Sequence, residues 1–122
     1  MLVFTRNGDV VALRTADEAA ADLESIDVLD GEYEAILMLD GRIVQAAGQA
    51  SEPVTLTITD TRDPAGLRER LQRAQHRLRL ISDPDDPAAV ANELLRVQWE
   101  HRWPRSLLWL ARRLHGDTPP SV

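Results

Sequence analysis

The chain has 122 residues, of which 43% are hydrophobic and 28% charged, with a net charge of −6. That is enough for one domain with a real core, and its ordinary composition excludes the low-complexity and disordered classes. The absence of cysteine excludes disulfides, cysteine nucleophiles and thiolate zinc sites.

No apolar run is long enough for a membrane span, and MLVFTRNGD lacks the features of a secretory signal, so a cytoplasmic location is expected. All fourteen basic residues are arginine. Codon bias from a GC-rich genome explains that usage better than a general need for the guanidinium fork. The charge is unevenly spread. Residues 1–60 carry twelve acids and three arginines, net −9; residues 61–122 carry eight acids and eleven arginines, net +3. Such halves complement each other within the fold or face different partners.

In chain order, Leu2–Arg6 and Asp9–Arg14 flank Asn7-Gly8, which predicts a hairpin with a type I′ turn. Thr15 and Glu18 form a capping box that starts a short acidic helix over 16–25. Glu32–Leu39 and Arg42–Ala46 flank Asp40-Gly41, a second hairpin signal of the same kind. The uninterrupted apolar run Ala35–Leu39 predicts a central strand covered on both faces. Residues 54–59 alternate apolar and threonine, as expected of a strand with one wet face.

Asp63-Pro64 opens a helix as N-cap and first helical residue. Its apolar stripe is Leu67, Leu71, Ala74, Leu78 and Ile81. The Asp/Pro-rich run over 82–87 marks a break, after which Asp86-Pro87 restarts a helix whose stripe is Val90, Leu94 and Val97, widened by Ala91 and Leu95. Pro104 is expected to break it, and a last helix reaches Leu114 with Gly116 as its stop. The order β-β-α-β-β-β-α-α-α predicts an α+β fold. Its antiparallel sheet has about five strands, with helices on one face and a helical C-terminal appendage. The organisation expected is a core over 1–82, a linker at 83–87, a helical segment over 88–116 and a disordered tail over 117–122.

All three tryptophans lie between residues 99 and 109, among arginines. With about 100° per residue from Leu107, the residues Leu110, Ala111 and Leu114 form a buried stripe. Trp109 falls on the opposite side, beside Arg105, Arg112 and Arg113. Trp103 and Trp99 are then core residues. The Trp109 face is an interface candidate, because Trp and Arg dominate binding hot spots, or else the arginines simply cover the ring. Asp17, Glu18 and Asp22, with Glu24, crowd one short helix. They form a second candidate for a basic partner, against the plainer reading of a solvated helix.

The arginines at 68, 70, 73, 77 and 79 read as a solvated helix surface, and net −6 disfavours nucleic acid. A membrane-surface role is disfavoured because the last helix is short. His76, His101 and His115 lack metal-site spacing, and Asp83, Asp85 and Asp86 lack the glycine and distal glutamate of an EF-hand. Glu32 and Glu34 read as wet positions where a strand begins. Nucleophile-elbow, phosphate-loop and dinucleotide motifs are missing, and no cofactor or metal is expected. These features favour a non-enzymatic binding module of regulatory, inhibitor or immunity type, whose partner is another protein or a second copy of itself. The alternatives are a small enzyme with a site between sheet and C-terminal helices, and a self-assembling homodimer.

Overall fold

A computed structural model describes residues 1–23, 25–49, 52–102 and 121–122. Strands β1 (Leu2–Thr5) and β2 (Val10–Ala12) are followed by helices α1 (Ala16–Asp22) and α2 (Ser25–Leu29). Strands β3 (Tyr33–Leu37), β4 (Arg42–Ala47) and β5 (Thr55–Arg62) follow, then helices α3 (Pro64–Leu78) and α4 (Pro87–Arg102). The strands form one antiparallel sheet in the order β2-β1-β3-β4-β5. The α+β class, the five-stranded sheet and the central place of the apolar strand β3 agree with the sequence.

Placement of the helices differs from the expectation of a single covered face. Leu2, Phe4 and Leu37 point to one side of the sheet and pack with Leu67 and Leu71 of α3 and with Val90 and Leu94 of α4. Val3 and Ile36, one residue along, point to the other side. There they meet Ala19 of α1, Leu23 and Val54. Strand side chains alternate faces, and β1 is apolar on both. A helix on one side alone would therefore leave half of that strand in water. The first part of the expected appendage, α4, is accordingly core: Val90, Ala91, Leu94 and Leu95 are all buried. The Asp/Pro run over 83–87 is a turn between two helices on the same sheet face. The break expected at Pro104 and the last helix lie outside the described residues.

Both hairpins form, but neither uses a two-residue type I′ turn. Gly8 N–H donates to Thr5 O (3.1 Å) and Thr5 N–H to Asp9 O (2.9 Å). Gly41 N–H donates to Met38 O (3.0 Å) and Met38 N–H to Arg42 O (2.9 Å). Each loop thus has three residues. Only the glycine has a positive φ, +84° at Gly8 and +88° at Gly41. This geometry asks one residue, not two, to enter the left-handed region, so Asn7 and Asp40 stay in ordinary conformations.

Caps follow the sequence closely. Thr15 Oγ1 accepts from Glu18 N–H (3.0 Å), and the Glu18 carboxylate reaches back to Arg14 N–H (2.7 Å), one residue earlier than the usual box. Asp63 Oδ1 accepts from Gly66 N–H (3.0 Å), with Pro64 in the first turn. Asp86 Oδ1 accepts from Ala89 N–H (3.1 Å) and Asp83 Oδ1 from Asp85 N–H (2.9 Å), so these acids serve caps and turns. The apolar stripe of α3 is buried at Leu67, Leu71 and Ala74. It then runs off the core: Leu78 is 38% exposed and Ile81, beyond the left-handed cap residue Arg79, is 86% exposed.

The two outer strands are finished differently. At β2, the Gln98 side chain of α4 accepts from Ala12 N–H (2.9 Å) and donates to Ala12 O (3.1 Å). One amide thereby occupies the outward donor and acceptor of the edge, as a further strand would. β5 spans eight residues, and Thr59 Oγ1 donates inward to Ile43 O (2.7 Å).

Candidate functional site

The charged surface of α3 is not uniform. With about 100° per residue, Arg70, Arg73 and Arg77 fall in a band about 60° wide, directly beside the buried stripe of Leu67, Leu71 and Ala74. This band faces the first hairpin and the start of β3 across a cleft of about 240 Å³. Phe4 and Ala74 supply its apolar lining. Thr5, Gly8 and Asp9 come from the hairpin and Glu34 from β3.

Glu34 is there because β3 bulges. Phe4 pairs with Ala35, but the next residue of β1, Thr5, pairs with Tyr33, which leaves Glu34 as the extra residue. In an unbroken strand Glu34 would share a face with Ile36. The bulge shifts the alternation, so that Tyr33 packs with the Ile36 side while Glu34 lines the cleft on the Phe4 side. Bulges re-aim side chains in this way and are enriched next to functional sites.

The ionic pairing around the cleft is incomplete. Arg77 Nη2 lies 3.7 Å from Asp9 Oδ1, and Arg73 Nη2 lies 3.9 Å from Glu69 Oε1 on the outer side of α3. Both pairs are well exposed and weak. Arg70 is half-buried. Its Nη1 donates to Gly66 O (3.3 Å), and its buried Nε has no acceptor among the described residues. No hydrogen bond or ion pair engages the Glu34 carboxylate among the described residues. A buried donor without a partner is costly, and an unpaired carboxylate opposite an under-satisfied guanidinium leaves one charge of each sign on facing walls.

Gly8 sets how closely the hairpin approaches. A Cβ at this position would lie 2.5 Å from Arg77 Nη1. The glycine therefore serves both the left-handed turn and the near approach of the guanidinium.

The candidates read from the sequence are distributed as follows. Trp109, Arg105, Arg112 and Arg113 lie outside the described residues, as does Trp103. Asp17 is exposed in the first turn of α1, and Asp22 is its last residue. Glu18 is occupied by its own helix cap and by Arg14 Nε at 3.5 Å. His101 Nδ1 lies 2.8 Å from Val97 O and His76 is exposed. Among the described residues no group of His, Asp and Glu could hold a metal ion, and no helix is long and apolar enough to cross a membrane.

The cleft itself was missed by sequence reasoning. The spacing 70, 73, 77 is visible in the sequence, but its meaning depends on which elements face that side of α3. Glu34 carries no such signal, since a bulge between β1 and β3 is a property of the pairing. Two other acids show perturbed titration. The Asp40 carboxyl is held below its ordinary value, first by the Arg42 N–H it accepts (3.1 Å), against partial desolvation, and further by the Arg42 guanidinium. At Glu93 desolvation acts to raise the pKa, but hydrogen bonds from Ile81 N–H (2.8 Å) and from Ser82 (2.9 Å to its N–H) leave it net lowered. Both acids brace turns and lie away from the cleft lining.

Comparison with known proteins finds no match among family models, curated proteins or solved structures.

Proposed function

We propose that the protein is a non-enzymatic binding module acting on another protein, and that the arginine-lined cleft between α3 and the first hairpin is its recognition site. The observation that carries this reading is the bulge that brings Glu34 round to face Arg70, Arg73 and Arg77. The arrangement adds little to stability, because its ion pairs are exposed and its buried donor is unsatisfied. It is, however, suited to steering and orienting a charged group, with Phe4 and Ala74 giving an apolar contact beneath it. A partner would enter through a carboxylate placed against Arg70 and Arg73.

The test is a native-lysate pull-down with the full chain as bait. Wild type runs beside Arg73→Gln/Arg77→Gln and beside Trp109→Ser/Arg112→Ser. The expected result is a stoichiometric protein partner held by wild type and by the tail variant and lost by the cleft variant. The exposed positions of Arg73 and Arg77 keep that variant folded. Loss with the tail variant alone would move recognition to the Trp109 face, and equal retention by all three baits would overturn the cleft assignment.

A further inference from the structure

We propose that the cleft also binds a free small zwitterion, a molecule of amino-acid size that carries a carboxylate and an ammonium on a short apolar link. The inference uses the same cleft as the proposed recognition site but does not depend on a protein partner.

Charge complementarity carries it. The walls hold three cations, Arg70, Arg73 and Arg77, and two carboxylates, Asp9 and Glu34. Arg77 is matched by Asp9 and Arg73 by Glu69 outside the cleft. What remains is one positive group on the helix wall, Arg70, with donor capacity unused, and one negative group on the sheet wall, Glu34, with no partner among the described residues. A simple anion would satisfy Arg70 but meet Glu34 as a like charge. A simple cation would meet the converse conflict. A molecule with both charges satisfies the two walls together, while its link rests on Phe4 and Ala74. Because Arg70 Nε is itself buried, seating the carboxylate requires a small displacement of that side chain rather than direct access. At about 240 Å³ the space is below the roughly 300–1,000 Å³ of sites for drug-sized ligands, the scale of one small zwitterion. The bulge at Glu34 thereby becomes a specificity device, because a regular strand would turn that carboxylate to the other face of the sheet.

The experiment is calorimetric titration of the full chain with glycine, β-alanine, 4-aminobutyrate and 6-aminohexanoate. Butyrate and butylammonium serve as single-charge controls. The expected result is that one member of the series binds about tenfold or more tightly than butyrate, as follows from adding one charged hydrogen-bonding pair. Glu34→Gln should abolish that member's advantage over butyrate, weakening the zwitterion and, by removing the like charge, leaving butyrate no weaker than before. Arg70→Gln should weaken both. Glu34 is exposed and makes no bond that the substitution would break, so its variant decides the matter even if Arg70→Gln unfolds. Butyrate binding as tightly as every zwitterion, a preference that survives Glu34→Gln, or no binding by any of the four would each overturn the inference. None of these outcomes touches the pull-down, which judges the protein-binding reading separately.

Discussion

The two hairpins have the same local design and opposite surroundings. Both are three-residue loops closed by a glycine at φ near +85°, and both touch α3. The second meets its beginning. Asp63 N–H donates to Gly41 O (2.8 Å), and a Cβ at Gly41 would lie 3.1 Å from Pro64 N and 3.2 Å from Pro64 Cα. The first meets the C-terminal half of α3 through the flexible tip of Arg77. One contact is backbone on backbone and braces the fold. The other is a side chain over open space and borders the cleft. An identical turn signal therefore says what the loop is, and the element across from it decides what the loop does.

The largest difference is expected from the two glycines. Gly41→Ala combines left-handed strain with a contact to backbone that cannot give way, and should cost about 2–3 kcal/mol. Gly8→Ala carries the same backbone strain, about 1 kcal/mol, but displaces only a guanidinium. Chemical denaturation of the two variants checks the order, and equal losses would show that the two loops are braced alike.

The next test concerns what holds the first hairpin in place. Its outer strand β2 has only three residues and relies on Gln98, whereas β4 of the second hairpin is flanked by the long β5. Gln98→Ala should cost about 1–2 kcal/mol through two lost hydrogen bonds to Ala12. Amide exchange should rise over Val10–Ala12 and stay unchanged over β3 and β4. A uniform rise across the sheet would show that the two hairpins do not differ in how they are held.

A smaller effect depends on pH. The second loop carries Asp40 where the first carries Asn7. Asp40 is depressed by the Arg42 N–H and guanidinium, so its contribution is complete above its ordinary, unfolded-state value of 3.8. The contribution is lost as pH falls through the lower folded value. Asp40→Asn should therefore destabilise slightly at neutral pH and not at all in strong acid, as melting curves across that range would show. Glu93, also net depressed, behaves the same way. Glu93→Gln should cost about 1 kcal/mol at neutral pH, given the exposure of the loop it braces, with the difference closing in acid.

Much of this architecture is legible in the amino-acid sequence. Asp63-Pro64, Asp86-Pro87 and Thr15 announce helix starts through side chains that bond their own backbone. Ala35–Leu39 announces a central strand through burial on both sides. These are local causes with local signals. What escaped the sequence is the product of pairing between distant segments. The shift from a two-residue to a three-residue loop depends on how β1 and β2 align. The α1 layer on the second sheet face follows from β1 being apolar on both sides, a consequence visible only once β1 has neighbours. The cleft escaped for the same reason. Arg70, Arg73 and Arg77 look like a solvated face until the first hairpin lies opposite, and Glu34 looks like an ordinary wet position until the bulge turns it.

Recognition of a charged group by the cleft at the first hairpin is what we propose. It is tested by a residue-resolved map of amide chemical shifts as the uniformly labelled chain is titrated with whichever of the four zwitterions binds most tightly. The prediction is that shifts concentrate at Thr5, Gly8, Glu34 and the 70–77 stretch of α3, while Gly41 and Asp63, at the matching hairpin, stay still. Shifts centred on Gly41, or spread evenly over both hairpins, would show that the cleft is not the recognition site.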